Sequence, residues 1–225
     1  METYILTPAE LAVLTKYLSG DALVLGEAAY ADLGVTPEQL SLAEDKLAER
    51  GLLVRAPGEQ ETGMAGYIAT VLATSFAPDI VCVVRTQRRN TAEPVMYYSF
   101  TPECIARNYM DATGQHVFCE FATVDNALHE ILAVSGVTSK QTHNTSDAAQ
   151  PLDVLLTDSE TLTLLMAVID PAMPQPQVHT LSWLVARNSV WLVTAEAQPS
   201  TASACPINRL ELWQAIAKTL VPDHS

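Results

Sequence analysis

The sequence predicts an α+β protein with a central antiparallel sheet flanked by helices, and three observations carry that reading. Helix starts are marked by a repeated device, Thr7-Pro8-Ala9-Glu10 and Thr36-Pro37-Glu38-Gln39, in which a Thr cap, a Pro and an acid or amide form a capping box. Runs rich in β-branched and aromatic residues, such as "DIVCVVRT", "PVMYYSF", "QHVFCEFA" and "VWLVTAE", are separated by polar turns, as in antiparallel hairpins. The order helix, proline, strand, turn, strand, closing helix also occurs in both halves, which suggests a pseudo-twofold repeat of element order rather than of residues.

The elements follow in turn. Leu11, Leu14 and Leu18 recur at helical spacing after the first box, and Gly20 ends that segment. After the second box Leu40, Ala43 and Leu47 form the apolar stripe, and Gly51 is the stop. This stretch and the following "RGLLVR" have the look of a winged helix, a recognition helix running into a wing strand. "MAGYIATVLATSF" (64–76) predicts a largely buried helix closed by Pro78, and strands are expected over 79–86 and 94–100. Between those strands lies the polar hairpin loop "QRRNTAE". "TPECIARNYM" (101–110) reads as a short helix, 115–122 as a strand and 123–134 as a helix. Residues 135–151 carry almost nothing to bury and are expected to be an exposed connector between an N-terminal half, 1–134, and a C-terminal half, 152–225. Thr157 and Glu160 read as a third capping box, predicting a helix over "TLTLLMAVI". "PAMPQPQ" is then a stiff linker, "VHTLSWLVAR" and "VWLVTAE" a tight hairpin through "RNS", "AQPSTASACP" a loop, and "NRLELWQAIAKTLV" the last helix.

Composition bears on function mainly by exclusion. A hydrophobic fraction of 48% supports a core, yet no run reaches the roughly 18 apolar residues of a membrane span. The N-terminus lacks the pattern of a secretory signal, so a cytoplasmic protein is expected. A net charge of −14 repels phosphate backbones and acidic membranes. The helix from 37 to 50 sets Glu38, Glu44, Asp45 and Glu49 against Lys46 and Arg50, the wrong sign for reading DNA. Four scattered cysteines and five histidines show no metal-ligand spacing, and no nucleophile elbow, phosphate loop or dinucleotide fingerprint occurs. No cofactor, no metal and no catalysis are expected.

One stretch departs from this background. Arg85, Arg88 and Arg89, with Gln87 and Asn90 beside them, crowd one hairpin in a chain with only eight arginines. Arginines gathered at one loop of an acidic protein point to contact with an acidic partner, with Arg88 and Arg89 as charge-assisted donors. The plainer alternative is a hairpin tip kept soluble by its charges.

The succession "LTPAELAVLTKYL", "LAEDKLAERGLL", a helix and "FAPDIVCVVR" resembles the EspG family, cytosolic chaperones of type VII (ESX) secretion that bind PE–PPE pairs. The resemblance implies a central antiparallel sheet with helical flanks and a quasi-twofold plan. It also implies a non-catalytic binding protein that holds a helical client with a sheet hairpin loop and its C-terminal helices. The matching loop here is Gln87 to Glu93. The expectation is therefore a non-catalytic protein-binding module, a chaperone or adaptor for a helical protein client. The alternatives are a winged-helix regulator or ligand sensor, and an enzyme whose residues come from distant segments.

Overall fold

The computed structural model describes residues 2–18, 35–55, 62–89, 91–141, 148–194 and 202–220. The chain is α+β, with a large antiparallel sheet and, among the described residues, six helices. Two compact units interleave along the sequence: residues 1–81, 97–122 and 170–176 form the first, and 82–96, 123–169 and 177–225 the second.

In the first unit β1 (Thr3–Leu6) leads into α1 (Pro8–Thr15). The Thr7 hydroxyl accepts from Glu10 N at 3.2 Å and Glu10 Oε2 accepts from Thr7 N at 2.7 Å, completing the expected box. Glu10 is itself buried and held by Arg50 Nη1 at 2.8 Å, so the cap also ties α1 to the end of the next helix. That helix, α2 (Pro37–Glu49), begins with the second box, Thr36 and Gln39, and packs against α1. The strands β2 (Leu53–Arg55) and β3 (Thr62–Met64) then pair as a separate two-stranded sheet, which is the wing the sequence suggested. α3 (Gly66–Phe76) is buried on Ile68, Val71, Leu72 and Phe76 and lies on a three-stranded meander. The meander is β6 (Met96–Phe100), β7 (Ile105–Met110) and β8 (His116–Phe121), and β1 adds to β8.

Strand β7 corrects one expectation, that of a helix over 101–110. Thr101 does accept from Cys104 N at 3.1 Å, but Thr101 N also donates to Cys104 O at 3.0 Å. The Thr-Pro pair therefore closes a hairpin between Phe100 and Ile105 instead of opening a helix. A local cap satisfies either geometry, and the ladders on both sides of β7 decide for the strand.

The second unit is built on the strand order β4-β10-β11-β12-β13-β9. Its strands are β4 (Ile80–Arg88), β9 (Gln150–Pro151), β10 (Ser159–Ile169), β11 (Gln177–Ala186), β12 (Ser189–Thr194) and β13 (Ser203–Ile207). The short β5 (Thr91–Ala92) folds back on β4. The helices are α4 (Val124–Val134), α5 (Leu152–Thr157) and α6 (Arg209–Leu220).

Strand β10 is the larger correction. "TLTLLMAVI" is a strand because its burial alternates: Thr161, Thr163, Leu165, Ala167 and Ile169 are buried, while the residues between them are not. A nearly continuous apolar run does not reveal its period, and Thr157 proves to be the last residue of α5. The segment 203–207, expected as loop, pairs with β12, and 195–201 lie outside the described residues. The β11–β12 hairpin forms as expected. Arg187 and Asn188 both take positive φ, 53° and 59°, as a two-residue hairpin of the twist-compatible type requires. Ser135 and Val137, expected to be exposed, are buried. They follow α4 in a C-terminal motif where Gly136 (φ 81°) donates to Ala133 O and Val137 N to Leu132 O, so the turn folds the chain back onto the helix.

Candidate functional site

The arginine-bearing hairpin lies entirely in the second unit. Along β4 the side chains alternate. Cys82, Val84 and Thr86 are buried, and Arg85 and Gln87 are exposed on the other face. Thr86 and Thr163 meet at 3.2 Å, which fixes the inward faces of neighbouring β4 and β10. The outward face of β10 is then Leu162, Leu164, Met166 and Val168, beside Arg85 and Gln87.

Arg88 and Arg89 are used differently. Arg88 Nη2 donates to Val134 O, in the last turn of α4, at 3.0 Å, and Arg88 Nε lies 2.9 Å from Glu93 Oε1. Arg89 Nη2 donates to Thr157 O, at the end of α5, at 2.5 Å. The final carbonyls of a helix have no partner within it and carry its negative dipole end, so a guanidinium is well matched to both positions. The cluster thus divides: Arg85 and Gln87 face outward on the strand, and Arg88 and Arg89 fasten the hairpin to two helix ends. Asn90 lies outside the described residues.

Sequence reasoning missed the surface beside this hairpin. Register pairs Leu164 with Ser182, Met166 with Thr180 and Val168 with Val178, so these residues share one face. At one end of that face α5 seats Leu155 among Leu184, Trp191 and Ala204. Beyond it the face lies open, with Leu164 45% and Val178 53% exposed. The opposite face is closed: Leu165 and Trp183 are fully buried and α6 packs on β10 and β11. The only signal for the open patch is the alternation within "TLTLLMAVI", hidden once that segment is read as a helix. An open apolar face rimmed by Arg85 and Gln87 suits a partner with its own apolar stripe and acidic or amide flank.

Elsewhere the chemistry is quiet. Burial pushes the Cys82 thiol well above its ordinary value, and burial also raises Cys104, leaving both protonated and unreactive. Among the described residues no group of three or more His, Cys, Asp or Glu could hold a metal ion. No described helix is long and apolar enough to cross a membrane. On α2 the exposed residues include Glu38, Glu44, Asp45 and Glu49, and Arg50, which could have offset them, is bound to Glu10.

Neither a family model nor a curated protein matches the chain. Among solved structures, the fold is similar to the Mycobacterium tuberculosis type VII secretion system chaperone EspG5, solved in complex with a PE25-PPE41 dimer. The TM-score is 0.64 at 10% sequence identity, over 98% of this chain and 96% of that one. The EspG resemblance read from the sequence is thus borne out as a likeness of fold.

Proposed function

We propose that this chain is a non-catalytic chaperone or adaptor, which holds a helical protein client on the open face of β10 and β11 beside the 85–93 hairpin. The observation that carries the reading is the exposed apolar patch of Leu164 and Val178 on strands whose other face is buried. Arg85 and Gln87 border the patch and supply polar anchors, while Arg88 and Arg89 hold the hairpin in place. The EspG5 fold is seen with a protein partner bound, and that supports a protein client here. Four free cysteines support a reducing, cytoplasmic setting. The acidic exposed side of α2 favours this reading over a winged-helix regulator, whose helix would meet phosphate repulsion.

The test compares the tagged chain with its Leu164→Glu/Val178→Glu double variant, captured from lysate of its own cells at low and at moderate salt. A stoichiometric protein retained by the native chain at both salts and lost by the variant is the expected result. Equal retention by both chains removes the sheet face from the proposal. Nucleic acid held at low salt and released at moderate salt returns the regulator reading.

A further inference from the structure

A second site lies between α4 and α6, which pack against one another. There a cavity of about 420 Å³ is lined by His129, Leu132, Ser139, Arg209, Leu210 and Trp213. That volume falls within the roughly 300–1,000 Å³ of small-molecule sites.

Two of its polar groups bear on what it could bind. The Trp213 Nε1 and the Arg209 Nε are out of reach of solvent and find no acceptor among the described residues. A buried indole N–H ordinarily finds an acceptor, so a donor left open beside a cavity points to an absent one. Arg209 makes no ion pair among the described residues, although the chain has 26 acids to 12 bases. Its near neighbour Glu211 is committed to the helix cap, where Glu211 Oε2 accepts from Asn208 N at 2.9 Å. Arg209 and Trp213 are four residues apart on α6 and therefore share a face. On α4, His129 Nδ1 lies 2.8 Å from the Asp125 carbonyl, which can only accept. The ring must donate there, and its Nε2 edge is left as an acceptor when the imidazole is neutral. The rest of the lining, Leu132 and the largely exposed Leu210, is apolar.

We propose that this cavity binds a small amphipathic carboxylate, its aromatic or aliphatic tail against Leu132, Leu210 and the Trp213 ring. The carboxylate accepts from the Arg209 guanidinium and the Trp213 N–H. One cation with neutral donors matches a monoanion, whereas a dianionic phosphate would face a single guanidinium in a chain of net charge −14. The site stands apart from the open sheet face, and its test does not depend on finding a client.

The experiment is a titration of the ¹⁵N-labelled full chain with sodium 4-phenylbutyrate, following the indole N–H signals. Trp213→Phe assigns the Trp213 signal. Neutral 4-phenylbutan-1-ol and sodium acetate serve as comparisons. Saturable movement of the Trp213 signal with phenylbutyrate is expected, with binding at least about tenfold weaker for the alcohol and for Arg209→Gln. An unchanged thermal midpoint shows that Arg209→Gln is folded. A Trp213 signal that stays fixed up to the solubility limit overturns the proposal. Equal affinity for alcohol and carboxylate, or for the native chain and a folded Arg209→Gln, overturns it too.

Discussion

Replacing Arg88 by Ala separates a structural from a surface role for the arginine cluster. In the native chain its guanidinium donates to Val134 O at 3.0 Å and stands 2.9 Å from Glu93. A hydrogen bond from a charged donor is worth about 1.5–3 kcal/mol when well shielded, and a partly exposed ion pair about 0.2–1 kcal/mol. The Arg88 side chain is 41% exposed, so both values are screened. A loss of about 1–2 kcal/mol is expected once solvent replaces part of each contact. Arg85→Ala removes an exposed side chain with no such contacts among the described residues, and should stay within about 0.5 kcal/mol. All three tryptophans, Trp183, Trp191 and Trp213, lie in the second unit, so intrinsic fluorescence reports on the unit that contains Arg88. With a urea slope of about 1.5 kcal/mol/M, the Arg88→Ala midpoint should fall by about 1 M and that of Arg85→Ala hardly at all. Equal midpoints for Arg88→Ala and the native chain would refute the fastening role, and would leave Arg88 as a surface charge.

Three further outcomes follow from the same geometry. Leu165→Ala should cost about 2–5 kcal/mol by opening a cavity, whereas Leu164→Ala should be nearly neutral in urea unfolding. Gly136→Ala should cost about 1–2 kcal/mol, because φ is 81° and the added Cβ would stand 3.1 Å from Thr161 Cγ2. Burial lowers the folded pKa of His116, only partly opposed by Asp111, so the folded state disfavours its protonation. The stability that neutral His116 contributes is complete above its unfolded value of about 6.5, and it is lost as pH falls from there through the lower folded value. Circular dichroism melts between pH 8 and 5 should show this loss, and His116→Gln should lack that component.

Local chemistry was legible wherever a segment satisfied itself. Thr7 with Glu10 and Thr36 with Gln39 close their boxes within four residues, so the helix starts can be read without the rest of the chain. Arg187-Asn188 is likewise a turn whose backbone demand is local. The failures arose where one local device fits two structures. Thr101 makes the bond expected of a cap, yet the β6 and β8 ladders on each side turn 105–110 into a strand. Thr157 and Glu160 have the spacing of a box, but Thr157 ends α5 and its hydroxyl donates to Val154 O at 2.7 Å. The strand at 3–6 owes its existence to a distant partner, β8, which no local window contains, and the strand at 203–207 to pairing with β12 across the preceding loop.

The candidate site shows the same division at the level of single side chains. The charge of Arg85, Arg88 and Arg89 was visible, but their uses depend on strand alternation and on two helix ends, α4 and α5, distant in sequence. Leu164 and Leu165 are chemically identical neighbours, and only the pairing of β10 with β11 turns one outward and buries the other. A fold shared at 10% identity fits this picture. What must persist across such divergence is the alternation that seals one sheet face under α6, and many residues satisfy it. The open face carries no packing constraint of that kind, so the apolar Leu164 and Val178 need another reason to be there. Contact with a client supplies one, because exposed Leu and Val on a sheet otherwise invite self-association. If the client is what covers the patch, the isolated chain should self-associate more than the Leu164→Glu/Val178→Glu variant when both are followed by sedimentation at rising concentration. Indistinguishable sedimentation would mean the patch is too small to drive association, and the case for a client would then rest on the capture experiment.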